Sequence, residues 1–72
     1  MIARLRDRWD GTFYAEGEDL LAAARSVYGE ERNLGVRYSA DPNSPELAVI
    51  TDKSEHGEVI LASVLSTGEY AK

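Results

Sequence analysis

Residues 16–31 read EGEDLLAAARSVYGEE, and this stretch decides the fold. Glu18 and Asp19 stand at the start, where the positive end of a helix dipole favours anions. Leu20, Leu21, Ala24, Val27 and Tyr28 follow at i, i+1, i+4, i+7 and i+8, which makes one apolar stripe. Ala22, Arg25 and Ser26 fall opposite it. Gly29 is suited to close the helix, because it accepts the positive φ that other residues resist. The spacing therefore predicts a one-sided helix of about three turns. Such a helix buries nothing alone, so the flanking sequence must supply its partner.

Outward from the helix, every segment has strand character. IARLRDRW alternates with a period of two, Ala3 and Leu5 on one side and Arg4, Arg6 and Arg8 on the other. Asp10-Gly11 is a dipeptide favoured in type I′ hairpin turns, and TFYAE then reads as a second strand, giving a hairpin over residues 2–16. After the helix, LGVRYSA places Leu34, Val36 and Tyr38 inward and Arg37 outward. DPNSP is a turn by composition. ELAVITD and EVILASVLS are two more strands joined by KSEHG. The unbroken apolar run Val59 to Ala62 predicts a central strand buried on both faces, and TGEYAK reads as a terminal tail. The order is β-β-α-β-β-β. An antiparallel sheet with one buried face needs a lid, and the Leu20/Leu21/Val27/Tyr28 stripe is the available one. The expected fold is a two-layer α+β domain spanning residues 1–72, its antiparallel sheet covered on one face by a single helix.

Composition narrows the function. The chain has 72 residues, no Cys and one His. Disulfides, thiolate zinc sites and cysteine nucleophiles are thereby excluded, and a reducing cytoplasm is the expected location. No apolar run reaches the ~20 residues of a membrane span, and MIARLRDRWDG lacks the continuous apolar core of a signal peptide. His56 lies beside Glu55 and Glu58, but one histidine without a second or a cysteine makes a poor transition-metal site. Asp41, Asn43 and Glu46 echo calcium-ligand spacing without the glycine pivot or the bidentate Glu of a calcium loop. Ser54 sits two residues from His56, a spacing that seldom orients a nucleophile on its base. Neither a glycine-rich phosphate loop nor any other cofactor-binding pattern occurs. The expectation is a non-enzyme with no metal and no cofactor.

Charge is unevenly placed. The whole chain carries −5. Residues 1–8 hold Arg4, Arg6 and Arg8 against Asp7, a net of +2, and residues 9–72 hold twelve acids against five bases, a net of −7. The arginines, at about 6.6–6.8 Å intervals along one strand, could track phosphates, with Trp9 and Tyr14 stacking on bases. The acidity of the remainder opposes this, so direct nucleic-acid binding should be weak. Glu30, Glu31, Asp52, Glu55 and Glu58 gather at turns and strand ends around one end of the expected sheet. That array suits a basic groove on another protein.

Thr12 to Asp52 resembles small phage-encoded anti-CRISPR proteins that inhibit type I surveillance complexes. The shared pattern is a strand ending in acid (TFYAEGED), an Ala-rich helix (LLAAARSVYGEE) and a Val/Tyr strand with a charge between (GVRYS). The resemblance implies inhibition by docking, in which a phage or mobile-element protein covers the nucleic-acid-binding face of a host complex such as CRISPR-Cas. The residues expected to meet that partner are the acids Glu30, Glu31, Asp52, Glu55 and Glu58, or the stripe Arg4, Arg6, Arg8, Trp9 and Tyr14. The chain would act as a monomer or homodimer in the host cytoplasm, without a membrane. A direct nucleic-acid-binding module and an accessory interaction subunit are the alternatives.

Overall fold

The computed structural model describes residues 1–68. Five strands and one helix follow the expected order: β1 (Ile2–Asp7), β2 (Gly11–Glu16), α1 (Leu20–Tyr28), β3 (Leu34–Tyr38), β4 (Ala48–Ser54) and β5 (Gly57–Thr67). The strands form a single antiparallel sheet ordered β2-β1-β5-β4-β3. The last strand thus sits in the middle, between two pairs that are each close in sequence. The expected tail falls largely on residues 69–72, outside the described residues.

The core is built from small and aliphatic side chains. Ala3 and Leu5 of β1, Ala15 of β2, Leu20, Ala23 and Ala24 of α1, and Ile50 and Val64 of the central strands form one buried cluster. Alanines recur where the helix meets the sheet, which lets the two backbones approach closely. Gly17 carries this further. A Cβ there would stand 2.6 Å from the Ala22 carbonyl carbon and closer still to the Ala23 amide nitrogen. Gly17 also exchanges hydrogen bonds with Met1, donating at 3.1 Å and accepting from the terminal amine at 2.7 Å. The entry to the helix is therefore pinned to the start of β1.

Several local expectations need correction. The helix begins at Leu20, two residues later than the expected placement of Glu18 and Asp19 in its first turn. Asp19 is the N-cap, its carboxylate accepting the Ala22 N–H at 2.8 Å, and no acid lies in the first turn. Gly29 does close the helix, with φ 93° and its N–H donating to Arg25 O at 2.9 Å. The buried stripe is rotated toward Ala23, so Val27 is 39% exposed, while Leu21 and Tyr28 pack only partly against the core. Tyr38, expected inward, stands at the solvent end of β3 and is exposed.

The first hairpin turn differs as well. Asp7 pairs with Gly11, leaving Arg8, Trp9 and Asp10 in the loop, and Gly11 alone there takes positive φ, at 71°. A type I′ turn would require positive φ at Asp10 also. The loop is instead organised by Asp7, whose carboxylate accepts the N–H groups of Trp9 at 3.0 Å and Asp10 at 2.6 Å.

β5 is central, as expected, but not for the expected reason. Ile50 pairs with Ala62 and Thr51 with Ile60, so Leu61 is an extra residue in the ladder. A second irregularity leaves Leu65 extra against β1. The bulge turns Leu61 inward beside Ala62, both of them buried. The apolar run thus records a bulge followed by an exposed end, because Val59 and Ile60 remain 58% and 59% exposed.

Candidate functional site

Three connections meet at one end of the sheet. β1 leads into the Arg8–Asp10 turn at the end toward which α1 also points, since the Tyr28 hydroxyl donates to Asp7 Oδ2 at 2.7 Å. The loop after the helix returns beside β4, where Leu34 pairs with Asp52 and the Lys53 N–H donates to Asn33 O at 3.1 Å. β4 and β5 close through Glu55 and His56 at the same end, with Ser54 opposite Gly57. The five predicted acids therefore lie toward one end of the sheet, as do Arg8 and Trp9, with the Glu55–His56 tip several strand residues beyond the Arg8–Asp10 turn.

The acids are not equivalent. Asp52 accepts from Arg32 at 3.1 Å. Glu58 pairs with Arg37 and also accepts the Thr51 hydroxyl at 3.4 Å. Such partly exposed pairs contribute only about 0–1 kcal/mol, but they neutralise the field these two carboxylates would project. Glu30 and Glu31 make no ion pair among the described residues, and Glu55 has only the neighbouring His56, at 3.6 Å, where both side chains are almost fully exposed. The outward field of the patch comes mainly from Glu30, Glu31 and Glu55.

The arginine stripe divides in two. β1 ends at Asp7, so Arg8 belongs to the turn and does not continue the face that carries Arg4 and Arg6. Its guanidinium lies 5.8 Å from the centroid of the Trp9 ring, a cation–π contact worth about 0.5–1 kcal/mol at an exposed site. Trp9 is itself 63% exposed. Arg4 stands opposite Tyr14 in the β1–β2 register. Arg6 reaches Glu46 loosely, at 3.9 Å, while Glu46 accepts the Ser63 hydroxyl at 3.1 Å.

Sequence reasoning missed the Asp7–Tyr28 contact. Burial raises the Asp7 carboxyl pKa, but the Asp10 N–H, the Tyr28 hydroxyl and the N–H groups of Trp9 and Gly11 outweigh it, and the net shift is downward. The partner group moves the other way, with burial and the Asp7 carboxylate pushing the Tyr28 phenol well above its usual range. No local signal joins two residues twenty-one positions apart. Val59 and Ile60 were missed as surface residues, because β1, their neighbour on one side, ends at Asp7 opposite Ala62.

A shallow cavity of about 200 Å³, lined by Arg37, Tyr38, Ser39, Glu46, Ala48 and Val49, contains no residue of either predicted patch. Among the described residues no group of three or more His, Asp or Glu side chains is placed to hold a metal ion, and no helix is long and apolar enough to cross a membrane. No protein-family model, no curated protein and no solved structure matches the chain.

Proposed function

We propose that the chain is a non-catalytic binding module that docks end-on against a basic, nucleic-acid-binding surface of another protein, as the phage-encoded inhibitors it resembles do. In this reading the helix lids one face of the sheet and the end carrying the three loops meets the partner. One observation carries it: exposed Trp9 lies toward the same end as Glu30, Glu31 and Glu55, which pair with no Arg or Lys among the described residues. An aromatic anchor inside a charged rim is the anatomy of a protein interface. The carboxylates steer approach and chiefly raise the association rate. The partner is a host nucleic-acid-processing complex, and the module acts beside it in the host cytoplasm.

The test uses a purified type I surveillance complex and its DNA target. The chain should reduce DNA binding, and the triple change Glu30→Lys, Glu31→Lys and Glu55→Lys should slow association while leaving Tm unchanged. Trp9→Ala should speed dissociation. The charge-dependent part should fade between 0.1 and 1 M salt, as the Debye length falls from ~10 to ~3 Å. DNA binding unaffected by the chain would defeat the reading.

A second reading has its own observation. Arg4 and Arg6 lie on the strand face beside Tyr14, with the Arg6 pair to Glu46 stretched to 3.9 Å. Retarded DNA in a gel shift, lost in the Arg4→Ala/Arg6→Ala variant, would favour direct nucleic-acid binding.

A further inference from the structure

The sheet face away from the core is polar and carries the strand arginines. Leu5, Ala15, Ile50 and Val64 point into the core, so their strand neighbours Arg4, Arg6, Tyr14, Val49 and Ser63 point the other way. The register sets one row straight across this outer face: Thr12, Arg6, Ser63, Val49 and Arg37.

One acid enters that row from a loop. Glu46 lies between β3 and β4, yet its Oε1 accepts the Ser63 hydroxyl at 3.1 Å and stands 3.9 Å from Arg6 Nη2. A single carboxylate oxygen thus faces a hydroxyl and a guanidinium, two groups that commonly contact backbone phosphates. The loop backbone puts it there. The Leu47 N–H donates to Val64 O at 2.8 Å, Leu47 O accepts the Ser39 N–H at 2.9 Å, and the Glu46 N–H donates to the Ser44 hydroxyl at 3.2 Å. These bonds and the Ser63 hydroxyl hold Glu46 over the face. The contact with Arg6 is too long for a hydrogen bond and does not do so.

We propose that Glu46 is a built-in competitor for single-stranded nucleic acid, its carboxylate holding the place beside Arg6 and Ser63 that a backbone phosphate would take. The proposal rests on the second reading above, direct binding through Arg4 and Arg6, and adds its regulation. Tyr14, opposite Arg4 and 48% exposed, offers a ring of the kind on which unpaired bases stack. The other charges of this face are Arg4, Arg37 and Lys53 against Glu16 and Glu58, and Glu58 takes Arg37. Arg8 lies beyond the strand, in the turn. With Glu46 in place the face is nearly balanced. Without its charge, Arg6 becomes available and the balance turns basic.

The probe is a short fluorescein-labelled oligothymidylate, titrated by anisotropy at 0.1 M salt. Glu46→Gln keeps an acceptor for Ser63, so Tm should hold while affinity rises about two- to fivefold, as loss of one exposed ion pair allows. The salt slope should steepen by about 0.7, one more phosphate contact on a single strand. In an Arg6→Ala background the same change should do nothing, which is the coupling a double-mutant cycle isolates. Glu18→Gln removes an equal charge beyond the end of β2, whereas Arg6 lies opposite Thr12 near its start, and it should leave affinity nearly unchanged. Equal gains from Glu18→Gln and Glu46→Gln would reduce the effect to overall charge and overturn the competitor. A gain that persists without Arg6 would overturn it too. Wild-type binding that is lost in Arg4→Ala/Arg6→Ala but indifferent to Glu46→Gln would refute the competitor and keep the nucleic-acid reading. Absence of binding by every variant would defeat both, leaving end-on docking untouched.

Discussion

Asp7 and Tyr28 form a side-chain pair that joins the helix to the first strand. A buried carboxylate is costly unless donors surround it, and Asp7 has the Tyr28 hydroxyl and two turn amides within 3.0 Å. One residue thus organises the first turn and ties the helix C-terminus to β1. Tyr28→Phe should destabilise the fold by about 1.5–3 kcal/mol, the range for hydrogen bonds to charged groups, measured by urea unfolding at pH 7. The same pair sets the pH dependence. The folded Asp7 pKa lies below its ordinary 3.8, so its stabilisation is complete above that value and is lost as pH falls through the lower folded pKa. Tyr28 is raised above its ordinary 10, so its contribution is complete below pH 10 and lost at higher pH. A stability profile in wild type should fall at both extremes, and Tyr28→Phe should flatten the alkaline limb and move the acid limb to higher pH. An alkaline limb unchanged by the substitution would mean that the phenol is not the titrating group.

At the scale of elements, the helix shows how periodicity locates a face only to within a fraction of a turn. Leu20 is buried and Val27 is not, although both lie on the stripe read from the sequence. The difference arises because α1 approaches the sheet along its alanines, Ala23 and Ala24, where the backbones come closest. Leu20→Ala should cost roughly 2–5 kcal/mol, whereas Val27→Ala should stay within about 0.5 kcal/mol as an exposed substitution. Comparable losses at both positions, in denaturant melts, would refute this orientation. Gly17 tests the same contact from the strand side. Its Cβ would collide with helix backbone, not with a flexible side-chain tip, so Gly17→Ala should cost about 1–3 kcal/mol, the usual range for overpacking.

On the scale of the whole molecule, the principal-axis extents of 40 × 25 × 22 Å describe an elongated body, with the three acidic-end loops together at one end of the strands. Charge is separated along it, Arg4 and Arg6 on a strand face and Glu30, Glu31 and Glu55 at that end. A global imitation of nucleic acid would need far more acid than a net −5, so the acidic field is local. Direct DNA binding should accordingly be weak and salt-sensitive: two strand arginines and Arg8 offer at most about three phosphate contacts, and log K should fall with log salt at a slope no steeper than about −2.7. A steeper slope in a fluorescence titration would show a larger basic footprint than these three arginines supply.

Element type and order were legible because they depend on local geometry. Side chains alternate every residue in a strand and return to one face every three or four in a helix, so IARLRD and LLAAARSVY carry their structure in their own spacing. The acidic end was legible for a related reason, since antiparallel strands joined by short loops send alternate connections to the same end. Only the tertiary structure decided which strand neighbours which, and with it everything that depends on where one strand stops beside another. Val59 and Ile60 read as deeply buried because nothing in their own segment records that β1 turns away at Asp7. Asp7 entered the sequence reading only as one charge among residues 1–8, because its partner lies twenty-one residues away, on a helix whose rotation is set by how closely alanines let it approach. Non-local contacts answer to the packing of the whole core, and no segment's periodicity contains them.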